Sequence, residues 1–384
     1  MRTPLQRLLN LPNLLKKKSF FLFGPRATGK STLIKQQFPK TTNLINLLDN
    51  ELYFRLKTAP SELESIIMAH DYHDIVIIDE IQRIPELLND VHRLIEDAGI
   101  KFLLTGSSAR KLKHNQSNLL AGRARQAELF PLTYSEIPDF NLEHYLRFGG
   151  IPMIYLSDDP TDDLHAYVNT YLKEEIQAEA LVREIPAFSR FLHFSALTSG
   201  ELLNFSSLSN DVAISANTAR EYYHILEDTF IGFMLPAWTK STKRKAISTA
   251  KFYYFDIGVK NTLANIKSID PNSDLYGKAF EHLIACELRA YISYRRKHAA
   301  LRYWQAKSGY EVDFIIEDDI AIEIKSTKRV HDKHLKGLKA LAEEQIVKQY
   351  YLVSHDKINR KVDGKYIIIY WKDFLKKLWD DAIY

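Results

Sequence analysis

Apolar runs with two different periods divide the chain. Phe20 to Phe23 is a continuous apolar run, and Ile75-Val76-Ile77-Ile78 is another that ends in Asp79-Glu80. Such runs mark strands of a parallel sheet with helices on both faces, and ligands gather at the carboxyl ends of those strands. Lys101 to Leu104 predicts a third strand, leading into Thr105-Gly106-Ser107-Ser108, and Asn46-Leu47-Leu48-Asp49 closes a further one. A helix is expected over Ser31 to Phe38, and a surface helix with a basic end at Lys16-Lys17-Lys18 precedes the first strand. From Leu142 to Trp238 the pattern turns helical, with recurring aromatic and leucine positions. Within it, residues 201–208 lead to a turn at Ala213-Ile214-Ser215. Ser215 is placed to cap a second helix over Asn217 to Asp228, whose Ala219, Tyr223 and Leu226 share one face. An apolar strand, Phe230 to Leu235, follows, so this stretch predicts a winged helix-turn-helix. Farther on, Gly277 begins a helix with Phe280, Ile284, Leu288 and Tyr291 among its apolar positions. Glu311 to Lys325 predicts a β-hairpin with an acidic turn at Glu317 to Asp319. The expected fold is α/β in three parts: a nucleotide-binding domain over 1–140, the helical segment with the winged helix over 141–240, and a second α/β domain over 241–384.

Composition narrows the setting. At 384 residues, 46% hydrophobic and 26% charged, the chain reads as an ordinary globular protein of two or three domains. Its single cysteine, Cys286, excludes an internal disulfide and a cysteine-based zinc cluster, and points to a reducing compartment, the cytoplasm. No apolar run approaches the roughly 18 residues of a membrane span, so no membrane partner is expected. The first 48 residues lack Asp and Glu, as an organellar transit peptide would, but a strand beginning near Phe20 leaves little to remove. The net charge of +4 conceals an asymmetry. From Ser241 onward 27 Lys and Arg face 19 Asp and Glu, a net +8, whereas the preceding residues carry −4. A C-terminal third that meets a polyanion fits this, and so does a solvated basic face.

The candidate chemistry begins at Gly24-Pro25-Arg26-Ala27-Thr28-Gly29-Lys30-Ser31, a G-x-x-x-x-G-K-S loop between a strand and a helix. Its glycines let backbone N–H groups turn inward around phosphates, the lysine reaches the β and γ oxygens, and the serine hydroxyl joins Mg²⁺. With Thr32, these residues form the expected ATP site, reinforced by the helix N-terminus. Asp79 would support Mg²⁺ and Glu80 would orient or deprotonate the attacking water. Thr105 and Ser107 are candidate γ-phosphate sensors, or helix caps. Arg123 is a candidate arginine finger, in cis or from a neighbouring subunit of an oligomer; its plainer role is a structural ion pair.

A second constellation lies downstream. Strand period 2 puts Glu323 and Lys325 on one face, and hairpin pairing can bring Asp313 beside them. Two carboxylates beside a lysine suit metal-dependent phosphodiester hydrolysis: Asp313 and Glu323 hold Mg²⁺, and Lys325 positions or activates water. Glu281, at the edge of an apolar helix stripe, needs a partner, either a metal or Lys325. Lys328, Arg329, Lys333, Lys336 and Lys339 could hold a DNA backbone. In the helix-turn-helix, Asn217, Thr218, Arg220 and His224 would face bases or phosphates, opposed by Glu221, Glu227 and Asp228 on the same helix.

The loop with Pro25-Arg26 inside it resembles the prokaryotic AAA-type P-loop ATPases that carry a C-terminal domain of unknown function. So do Ile78-Asp79-Glu80, Leu104 to Ser108, Gly122-Arg123 and the Phe130-Pro131-Leu132-Thr133 turn. The resemblance spans nearly the whole chain. Members often have a second basic residue after the loop's arginine and a threonine after its lysine. Ala27 and Ser31 depart from that pattern, Ser31 conservatively. The helix glutamate followed by Asp-x9-Glu-x-Lys resembles the PD-(D/E)xK restriction-endonuclease-like fold. These resemblances imply ATP and Mg²⁺ as ligands and two alternative outputs. One is an ATP-regulated nuclease acting on DNA; the other is a nucleotide-switched ATPase that docks to a protein partner through an inactive nuclease-like domain.

Overall fold

In the computed structural model, residues 5–70, 74–108, 120, 122–172 and 185–384 are described. The polar stretch ahead of Gly122 and Ala121 itself lie outside them. The chain divides into two compact units, one of residues 1–132, 151–153 and 224–231, the other of the remainder.

In the first unit the described residues form a five-stranded, wholly parallel sheet. Its strands are β1 (Ser19–Phe23), β2 (Asn43–Asn46), β3 (Ile75–Asp79), β4 (Lys101–Gly106) and β5 (Ala124–Glu128), in the order β2-β3-β4-β1-β5. The apolar runs are strands because both faces are covered: Val76, Ile77, Ile78, Leu103 and Leu104 are fully buried. β4 lies between the strand that feeds the glycine-rich loop and the strand that ends in Asp79. This brings three strand ends to one rim. The expected early strand stops at Asn46, and Asp49 instead caps the helix Asn50–Thr58, its Oδ1 accepting from the N–H groups of Glu51 (2.9 Å) and Leu52 (3.1 Å). Its side-chain pattern hides β5 from a period-based reading: Arg125 and Gln126 are exposed, as suits a sheet edge.

In the second unit, the helices Phe205–Val212 and Ala216–Asp228 are joined through Ala213, which is left-handed at φ 58°. The second helix crosses the division between the units at Tyr223. Ser215 Oγ accepts from Thr218 N–H at 3.0 Å, so the expected cap is present, and Ala219, Tyr223 and Leu226 are buried as their spacing requires. An antiparallel pair follows, β6 (Gly232–Leu235) and β7 (Lys251–Tyr254). The described residues then build a six-stranded mixed sheet from β8 (Leu301–Gln305), β9 (Glu311–Ile316), β10 (Ile320–Lys325), β11 (Gln349–Ser354), β12 (Arg360–Val362) and β13 (Tyr366–Tyr370). Its order is β12-β13-β11-β10-β9-β8, with β10, β11 and β13 parallel. Against it pack the long helix Asp274–Tyr294, capped by Ser273, and the helices Lys336–Ala342 and Trp371–Trp379. Among the described residues no helix is long and apolar enough to cross a membrane.

One buried carboxylate in this unit gives stability a pH dependence. Glu287 accepts from Tyr134 N–H and from Trp379 Nε1–H, both at 2.7 Å, with 1% of its surface exposed. Burial raises its pKa to about 8 against the pull of those two donors. The folded state therefore holds a proton that the unfolded chain releases above its ordinary value of 4.5. This contribution is complete below pH 4.5 and is lost as pH rises toward 8, by up to about 1.4 kcal/mol per unit. Denaturant unfolding at pH 5.5 and 7.5 should show the decline, and Glu287→Gln should flatten it; an unchanged slope in the variant would contradict the assignment.

Candidate functional site

The glycine-rich loop leaves β1 at Gly24, where close approach excludes a side chain: a Cβ there would lie 2.5 Å from the Leu129 carbonyl oxygen. Ala27 (φ 63°) and Gly29 (φ 96°) take left-handed conformations that curl the backbone, and Gly29 caps the helix Lys30–Gln37. Thr28 is buried and its hydroxyl donates to Pro25 O at 2.9 Å, closing the curl. Lys30 is buried and folds back, its Nζ donating to Gly24 O (2.7 Å) and Pro25 O (3.0 Å). Pro25 is buried, whereas Arg26, Ser31 and Thr32 are exposed on the loop's outer side and first helical turn.

Across the rim, Ser31 Oγ donates to Asp79 Oδ2 at 3.2 Å, and Thr105 Oγ1 donates to Asp79 Oδ1. Thr105 also accepts from Glu80 N–H at 3.2 Å. The loop serine, the β3 carboxylate and the β4 threonine are thus joined directly. Glu80 sits at φ 62°, ψ 45°, an uncommon conformation for a residue with a side chain and one that concentrates at functional sites. Its carboxylate accepts from Gln82 Nε2, which also donates to Ser107 Oγ at 3.3 Å. Spacing alone did not single out Gln82. The available signal was its place two residues past the acidic pair, on the same strand-end turn.

Arg123 is placed differently from its candidate role in cis. β5 runs parallel to β1 with Ala124 opposite Ser19 and Glu128 opposite Phe23, so Arg123 precedes the far end of the sheet from Gly24. Five residues of strand at ~3.3 Å each put it ~16 Å from the loop. There it pairs with Glu96 at 2.5 Å. To reach a phosphate within its own subunit this side chain would have to leave Glu96 and span that distance.

The second constellation assembles on the predicted hairpin. β9 and β10 pair antiparallel through Ile316–Ile320, Ile315–Ala321 and Phe314–Ile322. Beyond Ile322 the ladder opens, and Ile324 N–H donates to Asp313 Oδ2 at 2.6 Å. A carboxylate thus takes the place of a main-chain acceptor and is fixed beside Glu323. Glu323 Oε1 accepts from Lys325 Nζ at 2.6 Å, while Glu323 Oε2 is buried with no hydrogen-bond partner. Gly337 lets the helix Lys336–Ala342 close over this point: a Cβ there would meet Glu311 O at 1.9 Å and Glu323 Oε2 at 3.4 Å.

Glu281 joins the neighbourhood through other partners than expected. Its Oε1 accepts from Tyr253 Oη–H at 2.5 Å and lies 3.9 Å from Lys251 Nζ, not against Lys325. Lys251, 4% exposed on β7, also bonds Glu311 Oε1 at 2.5 Å. Among the described residues no three His, Cys, Asp or Glu side chains form a group that could hold a metal ion. The expected trio of Glu281, Asp313 and Glu323 is therefore an adjacent pair plus a glutamate engaged by Tyr253 and Lys251. Burial, then the charge of Asp313, lifts the Glu281 pKa to about 7, with Lys251 pulling the other way. Burial likewise raises Asp313 and, together with Asp313's charge, raises Glu323 well above the usual carboxylate range. Burial disfavours the Lys251 and Lys325 ammonium ions, but the surrounding carboxylates outweigh it and raise both. A cavity of ≈ 300 Å³ opens beside this group, lined by Lys251, Lys278, Glu281 and Glu311 among others.

Lys251 and Glu311 are members that motif reading missed. Period 2 already placed Glu311 on the face of Asp313, whereas Lys251 arrives from a separate hairpin and carried no local signal. Of the basic residues considered for DNA, Lys328, Arg329, Lys333 and Lys336 are exposed. Lys339 is held by Asp332 (2.5 Å) and Asp363 (3.3 Å). On the helix Ala216–Asp228, Asn217, Arg220 and His224 are exposed; Arg220 donates to Asn217 at 3.0 Å, and His224 lies 3.7 Å from Glu227.

Comparison with known proteins follows this division of chemistry. Residues 139–270 match a domain of unknown function (DUF8612), and residues 276–374 match another (DUF4143). A protein of Haemophilus influenzae described as uncharacterised is 23% identical over 297 residues, covering 69% of this chain and 72% of its own. Another, from Methanocaldococcus jannaschii and likewise described as uncharacterised, is 24% identical over 371 residues, covering 86% and 80%. Among solved structures, a Walker-type ATPase of Pyrococcus abyssi aligns over 66% of this chain and 93% of its own, at 16% identity and a TM-score of 0.46. Residues 16–138, which hold the glycine-rich loop and the acidic end of β3, match the AAA domain family, and with its wholly parallel sheet this part of the chain is P-loop ATPase-like.

Proposed function

We propose that the chain is a Mg²⁺-dependent ATPase whose nucleotide state controls a C-terminal domain that binds DNA and hydrolyses its phosphodiester bonds. The observation that carries the second half is Glu323, 5% exposed, with one oxygen on Lys325, the other without a donor, and Asp313 beside it. A buried carboxylate oxygen left unpaired is costly, and a divalent cation would satisfy it. This reading keeps the three-part division at 1–140, 141–240 and 241–384. In it the helix pair ending at Asp228 and the β6–β7 hairpin serve as a winged helix, and the hairpin of Asp313 belongs to a restriction-endonuclease-like fold.

In the ATPase domain the main chain of Gly24 to Thr32 cradles the phosphates. Lys30 exchanges its loop carbonyls for phosphate oxygens, and Ser31 and Asp79 hold the metal. Glu80 orients the attacking water and accepts its proton, while Thr105 and Ser107 touch the terminal phosphate and Gln82 links them to Glu80. In the C-terminal domain Asp313 and Glu323 would hold a divalent ion, which supplies Lewis acidity and an activated water when bound. Lys325 positions that water or offsets charge building at phosphorus. Exposed lysines after β10 bind the DNA backbone, so retention should fall steeply with salt.

A second reading has its own support. Two of the carboxylates already carry an ammonium ion, Lys325 on buried Glu323 and buried Lys251 on the partly exposed Glu311, as in a site that no longer takes a metal. The domain would then dock to a protein partner. Incubating native protein with plasmid and linear DNA in Mg²⁺ or Mn²⁺, with and without ATP, separates the two. Cutting supports the nuclease, and intact DNA in every arm leaves the docking ATPase. ATP turnover measured in parallel should rise with DNA in the first reading only.

A further inference from the structure

We infer that Arg7 is a positioning residue for nucleotide binding, which fixes the Thr28–Gly29 peptide so that the Gly29 N–H faces the phosphates. The inference rests on reading the loop as the nucleotide site, and it concerns a residue ahead of the segment matched to the AAA domain. Arg7 is 8% exposed. Its Nη1 donates to Thr28 O at 2.7 Å, and its Nη2 donates to Phe130 O at 2.6 Å and reaches Pro131 O at 3.5 Å.

The peptide unit is planar and trans, so its C=O and N–H point to opposite sides. Drawing the Thr28 carbonyl onto the guanidinium turns the Gly29 N–H away from Arg7, into the concave side of the loop. Gly29 lies close to the same guanidinium: a Cβ built there would sit 3.6 Å from Arg7 Nη1.

The second anchor gives the clamp its reach. Phe130 follows Leu129, whose N–H donates to Phe23 O at 2.8 Å and whose carbonyl abuts Gly24. Arg7 therefore ties the end of the loop at Thr28 to the chain that supports its beginning. Lysine offers a point charge in place of a planar fork and cannot satisfy both acceptors in this way. Without the clamp, the loop orders only when nucleotide arrives, and that cost appears in affinity. Once ATP is bound, the Glu80 side of the rim is unchanged, so turnover at saturation is preserved.

The test is titration of full-length protein with ADP and ATP, using a fluorescent nucleotide, alongside turnover at saturating ATP. Arg7→Gln should weaken both nucleotides by about 10- to 100-fold, the loss expected for a charged hydrogen-bonding group. Its kcat should stay within about twofold of native. Arg7→Lys should fall between the two. Unchanged affinity in either folded variant, or a fall in kcat at saturation with affinity intact, overturns the inference. If Arg7→Gln does not fold, Arg7→Lys decides, through its Kd and the rise in Tm that ADP confers. Failure of native protein to bind nucleotide would instead remove the reading beneath it.

Discussion

Glu80→Gln should abolish ATP turnover while leaving ATP bound. The amide keeps the size of the carboxylate and its contact with Gln82, and the left-handed backbone at this position suits Gln no worse than Glu. What it loses is the ability to take a proton from water. Positioned general bases contribute about 10²- to 10⁴-fold, so phosphate release should drop by at least about 100-fold. Nucleotide affinity should move little, because Lys30, Ser31 and Asp79 are untouched. The comparison with Lys30→Ala is informative: that variant should lose binding and turnover together. Turnover near native in Glu80→Gln would move the water-activating role elsewhere on the rim, with Asp79 the nearest carboxylate.

Glu323→Gln should eliminate DNA cleavage while sparing ATP hydrolysis. The substitution is nearly isosteric, so the pocket beneath Gly337 stays filled. It removes the charge that pairs with Lys325 and one of the two carboxylates available to a metal. Loss of a metal-binding carboxylate should cost at least about 100-fold in cleavage, more than the 10–100-fold typical of supporting residues. Asp313→Ala is a less clean probe, because its carboxylate also holds Ile324 N–H and its loss disturbs the strand. Plasmid nicking in Mn²⁺, read against phosphate release from the same preparation, measures both activities. Cleavage that survives Glu323→Gln would place the metal elsewhere or assign the cutting to a contaminant.

Much of the first site is legible in sequence because its chemistry is local. A loop, a strand end and a second strand end each announce themselves within eight residues, and a parallel sheet must bring such ends to one rim. β5 escaped notice because an edge strand with exposed Arg125 and Gln126 has no apolar run. Arg7 escaped because its targets are main-chain carbonyls, which any sequence possesses. The hairpin was legible in the same way as the loop: alternate residues of a strand share a face, so Asp313, Glu323 and Lys325 had to converge once the turn was placed. Glu281 was expected to meet a metal or Lys325; its direct contacts with Tyr253 and Lys251 depend on how a helix packs against β7, and no spacing rule encodes that.

Lys251 has a consequence for how this protein can be taken apart. It belongs to residues matched to one family, whereas Glu281 and Glu311, the carboxylates it neutralises, belong to residues matched to the next. A fragment trimmed to begin at residue 276 would keep the acids and discard their counter-ion. The two segments are therefore one electrostatic module with a family boundary drawn through it, and exchanging either between relatives would have to carry the lysine and the glutamates across together.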